Sequence, residues 1–186
     1  MKNPIVIFTG PSASGKTTLC QYLIDKYNFT RNITCTTRQK RANEDASAYV
    51  FISALEFIKL VKANRMIEYT KYHRDYYGTF ISSFESDLPL TLAMTICGAR
   101  KVREKYPGRT IIIQLKVDIE TVIHRLISRE GITFHELEAR LATLEEYSDT
   151  DFVIHTDKSL HIALTRLDSI MDTLGIGQTV LRSALI

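Results

Sequence analysis

The stretch Ile5-Val6-Ile7-Phe8-Thr9-Gly10-Pro11-Ser12-Ala13-Ser14-Gly15-Lys16-Thr17-Thr18-Leu19 constrains this chain more than any other. A short continuous apolar run stopped by Gly-Pro fits a strand buried on both faces, as in a parallel sheet. Leu19, Tyr22, Leu23 and Tyr27 then recur at helical spacing, which predicts a helix over about residues 16–27. Between the two, Gly10 to Thr17 fits the pattern G-x-x-x-x-G-K-[ST] of a phosphate-binding loop. Glycines let successive N–H groups curl around a phosphate with no Cβ in the way, and the helix start adds partial positive charge. Lys16 would reach the outer phosphates of a nucleotide and Thr17 would offer its hydroxyl to Mg²⁺. Strand, loop and helix in that order make a chance match a poor account.

Further along, strand-like and helix-like segments alternate. Strands are expected over residues 30–37, 49–52, 110–115 and 152–154, and the apolar run 90–97 joins them. Helices are expected over 54–63, 99–105, from 118 onward, from about Thr133 with Leu137, Leu141 and Leu144 in register, and over 160–174. Residues 66–80, rich in tyrosine, read as strand and turn, and residues 84–90 fit no pattern cleanly. Alternation of this kind predicts an α/β fold with a parallel sheet.

At 186 residues the chain fits one domain with room for small inserted lobes. Its net charge of +3 gives no argument for nucleic acid or a membrane surface. Cys20, Cys35 and Cys97 have no metal-like spacing and suit reduced thiols of a cytosol better than a disulfide framework. Cys97 reads as a small buried hydrophobe. No run reaches the roughly 18–20 apolar residues of a membrane span, and the N-terminal run reads as a buried strand rather than a signal peptide.

A second constellation follows the first. Arg38 and Arg41 stand three apart in a polar loop, and two guanidinium forks can hold the dianion of a monophosphate. Tyr49 and Tyr77 can each donate a phenolic O–H to the same group. Glu68 lies in an apolar, aromatic run, where a carboxylate could accept from two adjacent N–H groups of a purine such as guanine. Taken singly, each of these is as well explained by surface charge or packing; their joint occurrence is harder to dismiss.

With those residues in view, the chain resembles the guanylate kinase family from about Pro4 to Leu174. GPSASGKTT matches its phosphate loop, TTRQKRANE its S/T-T-R-x-x-R-x-x-E element, IEYTKYHRDYYGT its Glu…Tyr-Tyr-Gly-(Ser/Thr) element, and HRLISREG its lid. The resemblance implies a P-loop NTPase-type parallel sheet of about five strands flanked by helices. It implies a core of residues 1–32, 81–124 and 147–175, a GMP-binding lobe of 33–80 and a lid of 125–146. Gly10, Ser12, Ala13, Ser14, Gly15, Lys16, Thr17 and Thr18 would hold ATP phosphates, with Thr17 on the metal. Arg38, Arg41, Tyr49 and Tyr77 would bind the phosphate of GMP. Thr34, Glu68 and Thr79, beside Gly78, would read guanine. Lys16, Arg38, Arg125, Arg129 and Arg140 would serve catalysis, the last three as a clamp when the lid closes. The implied reaction is ATP plus GMP (or dGMP) to ADP plus GDP with Mg²⁺, in a cytoplasmic monomer or homodimer with no nucleic-acid or membrane partner.

The pattern breaks in three places. The family's acidic run before a Gln-Gly turn is here Ala93-Met94-Thr95-Ile96-Cys97-Gly98, with alanine and threonine where acids are expected and cysteine for glutamine. Thr156 stands at the family's asparagine near the last strand and Tyr69 at its tryptophan. A variant guanylate kinase, a kinase for a different purine monophosphate, and a binding module without turnover all remain open. The intact Gly-Lys-Thr cradle weighs against the last.

Overall fold

The computed structural model describes residues 3–40, 49–72, 74–128 and 149–177. Strand β1, Ile5–Thr9, is buried at every position. Alternate side chains serve opposite faces of the sheet: Val6 and Phe8 enter one apolar cluster, Ile5 and Ile7 another. Side chains of this kind contribute about 1.5–3 kcal/mol each when fully buried, so β1 anchors the molecule as well as leading into the phosphate loop.

Around β1 lies a five-stranded parallel sheet in the order β2-β7-β1-β8-β9. Its other members are β2 (Thr30–Arg31), β7 (Leu90–Ala93), β8 (Thr110–Lys116) and β9 (Phe152–His155). On one face pack α1 (Lys16–Tyr27) and α5 (Leu160–Thr173), through Leu19, Leu23, Leu167 and Ile170. On the other packs α3 (Ile96–Lys105), through Ile96, Ala99 and Val102. Helix α4 (Ile119–Ile127) starts at Asp118, whose carboxylate accepts from Thr121 N at 2.6 Å. This is the expected α/β fold with its parallel sheet.

A second, four-stranded sheet has the order β4-β3-β6-β5. It comprises β3 (Thr34–Thr36), β4 (Val50–Phe51), β5 (Met66–Tyr72) and β6 (Asp75–Phe80). Strands β5 and β6 form an antiparallel hairpin, and β3 pairs antiparallel with β6. Helix α2 (Ala54–Lys62) begins in a capping box of Ser53 and Glu56 and buries Phe57.

Three local expectations are corrected. Residues 30–37 are two strands in two sheets, not one. The chain leaves the parallel sheet after Arg31 and joins the small sheet at Thr34. The run 90–97 is strand only to Ala93, because the Thr95 hydroxyl accepts from Gly98 N at 3.2 Å and caps α3; α3 therefore starts at Ile96 rather than Ala99. Cys97, expected buried, is exposed in that first turn, while Cys20 and Cys35 are buried. All three are free thiols.

Residues 84–90 also gain an account. Ile81–Phe84 is a 3-10 turn that drives Phe84 fully into the core, stacked on Tyr106 at 5.5 Å. Among the described residues no helix is long and apolar enough to cross a membrane.

Candidate active site

The phosphate loop leaves β1 with Gly10 at φ 140°. A Cβ on Gly10 would stand 2.6 Å from the carbonyl oxygen of Leu115, so no other residue fits that turn. Gly15, at φ 93°, caps α1 without a side chain, and the first N–H groups of the helix stay open toward the loop. Ser14 lies fully buried beneath them, its Oγ without a hydrogen-bond partner among the described residues. Ala13 holds the left-handed region at φ 60°, unusual for a residue with a Cβ. Lys16 Nζ donates to the carbonyls of Gly10 at 2.8 Å and Pro11 at 2.5 Å, which keeps the ammonium on the rim of the loop. Thr17 and Thr18 are exposed on the first turn of α1. An open helix start, an orphaned buried hydroxyl and a cationic rim fit a polyphosphate.

Beside the loop is a cavity of about 320 Å³, lined by Ala13, Gly15, Thr18, Arg125, Thr156 and Leu160 among others. Its size suits the base of a donor nucleotide. Arg125, near the end of α4, closes it. Its Nη1 donates to Ala13 O at 3.2 Å and its Nη2 to Thr156 O at 2.5 Å. The side chain expected to belong to a phosphate clamp thus spans the phosphate loop and the end of β9.

The residues expected to read a base come together on the small sheet. Strand register places Thr34 opposite Thr79, and Thr79 opposite Glu68, in one row across β3, β6 and β5. A register shift between Met66 and Glu68 re-aims the strand there. Glu68 is 6% exposed, and its Oε1 accepts from Thr79 Oγ1 at 2.7 Å. Burial holds its carboxyl above the usual carboxylate range, against the hydrogen bond from Thr79 and the charge of Lys101, which act the other way. Gly78 points its Cβ direction to the other face. A Cβ there would meet Met66 Sδ at 2.6 Å and Phe57 at 3.1 Å. Gly78 thus lets α2 close on the sheet, and any role toward substrate would run through its backbone.

Two residues along β6 from Thr79, and so on the same face, stands Tyr77. Its ring meets Tyr49 edge-on at 6.0 Å. The Arg38 guanidinium lies over Tyr49 at 5.6 Å and Phe51 at 5.7 Å, and its Nη1 donates to Gln39 O at 2.7 Å. Arg38, Tyr49 and Tyr77 therefore form one cluster. Arg41, Arg129 and Arg140 lie outside the described residues, as does the helix expected from Thr133.

The two halves meet through α3. Strand β7 is the parallel neighbour of β1, so α3 begins one strand from the phosphate loop, at the carboxyl end of the sheet where α/β folds bind ligands. Against that helix start lies Glu68. A Cβ on Gly98 would come within 3.2 Å of Glu68 Cγ and Oε2. The sequence reading missed this seat, and only the Gly98 within the divergent run hinted at it.

Mg²⁺ finds a modest donor set. Thr17 would be the protein ligand, as the resemblance implies; Ala93 and Thr95 bring no charge to the end of β7, and no group of three or more His, Cys, Asp or Glu gathers among the described residues. That fits an ion held mainly by phosphates and water, as Mg²⁺ commonly is beside a nucleotide.

Comparison with known proteins agrees with this geometry. The family model described as guanylate kinase matches residues 1–174. A guanylate kinase of Clostridium tetani is 30% identical over 179 residues, covering 91% of this chain and 86% of that protein. One of Geobacter metallireducens is 32% identical over 164 residues, covering 83% and 81%. Among solved structures, guanylate kinase from Anaplasma phagocytophilum superposes with a TM-score of 0.70 at 18% identity, covering 92% of this chain and 86% of the other. A gluconokinase from Sinorhizobium meliloti shares the fold more loosely, with a TM-score of 0.53 at 15% identity over 92% and 95%.

Proposed function

The chain belongs to the guanylate kinase family, and on that premise we propose that it transfers the γ-phosphoryl group of ATP to GMP or dGMP, giving ADP and GDP or dGDP. One observation carries this reading. Glu68, a buried base-reading carboxylate of the small sheet, sits on the start of α3, one strand from the phosphate cradle. Donor and acceptor sites thereby open on one cleft.

The roles follow from placement. The loop from Gly10 to Thr18 binds the donor's phosphates through N–H groups of the helix start, and Ser14 Oγ supplies a further buried hydroxyl. Lys16 exchanges its two carbonyl partners for phosphate oxygens as the donor enters. The cavity closed by Arg125 and Thr156 takes the donor base. On the acceptor side, Arg38 with Tyr49 and Tyr77 grips the monophosphate, and Arg41 is assigned to the same grip. Glu68, Thr79 and Thr34 read guanine, with Glu68 accepting from N1–H and the exocyclic amine. The nucleophile is a phosphate oxygen already ionised near neutral pH, so no strong base is needed. Catalysis is positioning and charge neutralisation, for which guanidinium groups are suited. Mg²⁺, when bound at Thr17, supplies charge compensation on the donor phosphates. Closure by a lid of residues 125–146, with Arg129 and Arg140, would exclude water from the transferring group.

We assign the moving parts to a lobe of residues 33–80 and that lid, on a core of 1–32, 81–124 and 147–175. Three free thiols suit the cytoplasm as its compartment.

A second acceptor deserves weighing on one observation. Thr95, where the family carries an acid, spends its hydroxyl oxygen on Gly98 N, and Ala93 offers nothing polar. The acceptor site therefore has one fixed carboxylate, Glu68, among the described residues. A coupled ADP-release assay over purine and pyrimidine monophosphates tests both readings. Turnover greatest with GMP or dGMP supports the proposal. Turnover greatest with another purine monophosphate moves the chain to a different acceptor. ATP binding without transfer to any of them defeats the kinase reading.

A further inference from the structure

We propose that Lys101 is a positioning residue for acceptor-base recognition, supplying across the α3–β5 contact the counter-charge that keeps Glu68 an acceptor. The inference rests on the reading of Glu68 given above and names a residue that reading does not include.

The helix face toward β5 carries Gly98 and, one turn on, Lys101, residues that share a face at this spacing. Gly98 leaves room for the Glu68 side chain, whose Cγ and Oε2 would stand 3.2 Å from a Cβ there. Lys101 reaches the adjacent strand position, with Nζ 5.9 Å above the Tyr69 ring. Tyr69 leaves β5 on the face opposite Glu68, so its ring holds the ammonium at the margin of the strand and off the carboxylate oxygens. Among the described residues Thr79 is the donor to Glu68, and it uses Oε1. A lysine in direct contact would occupy Oε2 as well, whereas a lysine held on Tyr69 leaves Oε2 to the substrate.

The electrostatics need such a group. A carboxylate 6% exposed is opposed by desolvation, and only the ionised form accepts from two N–H groups at once. The groups around it are few. From β6 comes the Thr79 hydroxyl and from β3 the Cys35 thiol, which burial pushes up to about 11 and so keeps neutral. From α3 comes Lys101, whose charge acts on Glu68 in favour of ionisation. The first turn of α3 holds no acid that would oppose it.

The test compares wild type with Lys101→Met, Lys101→Gln and Lys101→Arg, measuring kcat and KM for GMP and for ATP from mildly acid to mildly alkaline pH. Thermal melts are run alongside to show that each variant is folded. Removing the ammonium lets burial raise the Glu68 carboxyl further, so the acid limb of kcat/KM for GMP moves to higher pH. The account expects a shift of about one pH unit in the Met and Gln variants, with KM for GMP up about tenfold on the acid side of that limb. KM should change more than kcat, KM for ATP should stay within about twofold, and Arg should restore the wild-type limb. An acid limb that stays in place, or a loss equal at every pH that Arg does not rescue, overturns the proposal and reduces Lys101 to packing on Tyr69. Glu68→Gln, run in parallel, separates the two levels. If it keeps full preference for GMP over AMP, the base-reading role of Glu68 falls and this inference with it. If it loses that preference while the Lys101 variants behave as wild type, only Lys101 is dismissed.

Discussion

Arg125 donates through Nη1 to the backbone carbonyl of Ala13 at 3.2 Å, joining α4 to the one residue of the phosphate loop that holds a left-handed backbone with a side chain. The same guanidinium reaches the Thr156 carbonyl. A strained loop residue is thus held by a group that also walls the cavity beside the loop, so the strain and that cavity share one support.

Ala13→Gly should relieve that strain. A left-handed non-glycine costs about 1–2 kcal/mol, and glycine's greater freedom in the unfolded chain gives back about 0.4–1 kcal/mol. The net expectation is a stabilisation of up to about 1.6 kcal/mol, read as a higher denaturant midpoint at constant slope. A lower midpoint would mean that the Ala13 methyl packs usefully despite its backbone.

Gly98→Ala should separate stability from acceptor binding. In a helix, alanine is favoured over glycine by about 1 kcal/mol, but the new Cβ would crowd Glu68 Cγ and Oε2 at 3.2 Å. The melting temperature should hold or rise while KM for GMP increases about tenfold or more, the scale of a small misplacement at a reacting site. Unchanged KM for GMP would show that Glu68 is not seated by α3.

Glu68 should cost the free protein stability at neutral pH. Its folded-state carboxyl titrates above its ordinary value of 4.5 because of burial. The stability linked to it is therefore full below that value and is lost as pH rises through the raised one. Glu68→Gln should melt higher than wild type near neutrality, with the difference narrowing on acidification. A difference that does not narrow would mean the carboxyl is not titrating as described.

Asp168 behaves oppositely. Burial works against its charge, but Lys26, Tyr27 and Tyr22 all donate to it, at 2.8, 2.7 and 2.9 Å, and hold its carboxyl below the usual range. This ties α1 to α5 behind the phosphate loop. Asp168→Asn should cost about 1–2 kcal/mol at neutral pH. That loss should shrink as pH falls through the lowered value, with kcat/KM for GMP unchanged. An equal loss at all pH values would point to shape rather than charge.

What could be read from residues was local. Ile5–Phe8 followed by Gly10-Pro11 and a helical spacing announces strand, loop and helix, because sterics and burial act on neighbours. The row Thr34–Thr79–Glu68 was legible as a set through the family resemblance, yet its alignment across three strands depends on register, including the shift after Met66. The seat of Glu68 on Gly98 was not legible, since it joins residues thirty positions apart with no periodicity to reveal it. Thr95 misled the reading because a threonine in an apolar run looks like strand, whereas its hydroxyl ends the strand by capping α3. The exit of the chain from one sheet to the other at Asn32-Ile33 left no mark that distinguishes it from a continuous strand.

The central claim is that Glu68 selects guanine in a site that shares its cleft with the phosphate cradle. The most direct test is the ratio of kcat/KM for GMP to that for AMP, in wild type and in Glu68→Gln. The account predicts a strong preference for GMP in the wild type that falls by about a hundredfold or more in the variant, as expected when a hydrogen-bonding site loses its acceptor. An unchanged ratio would contradict it.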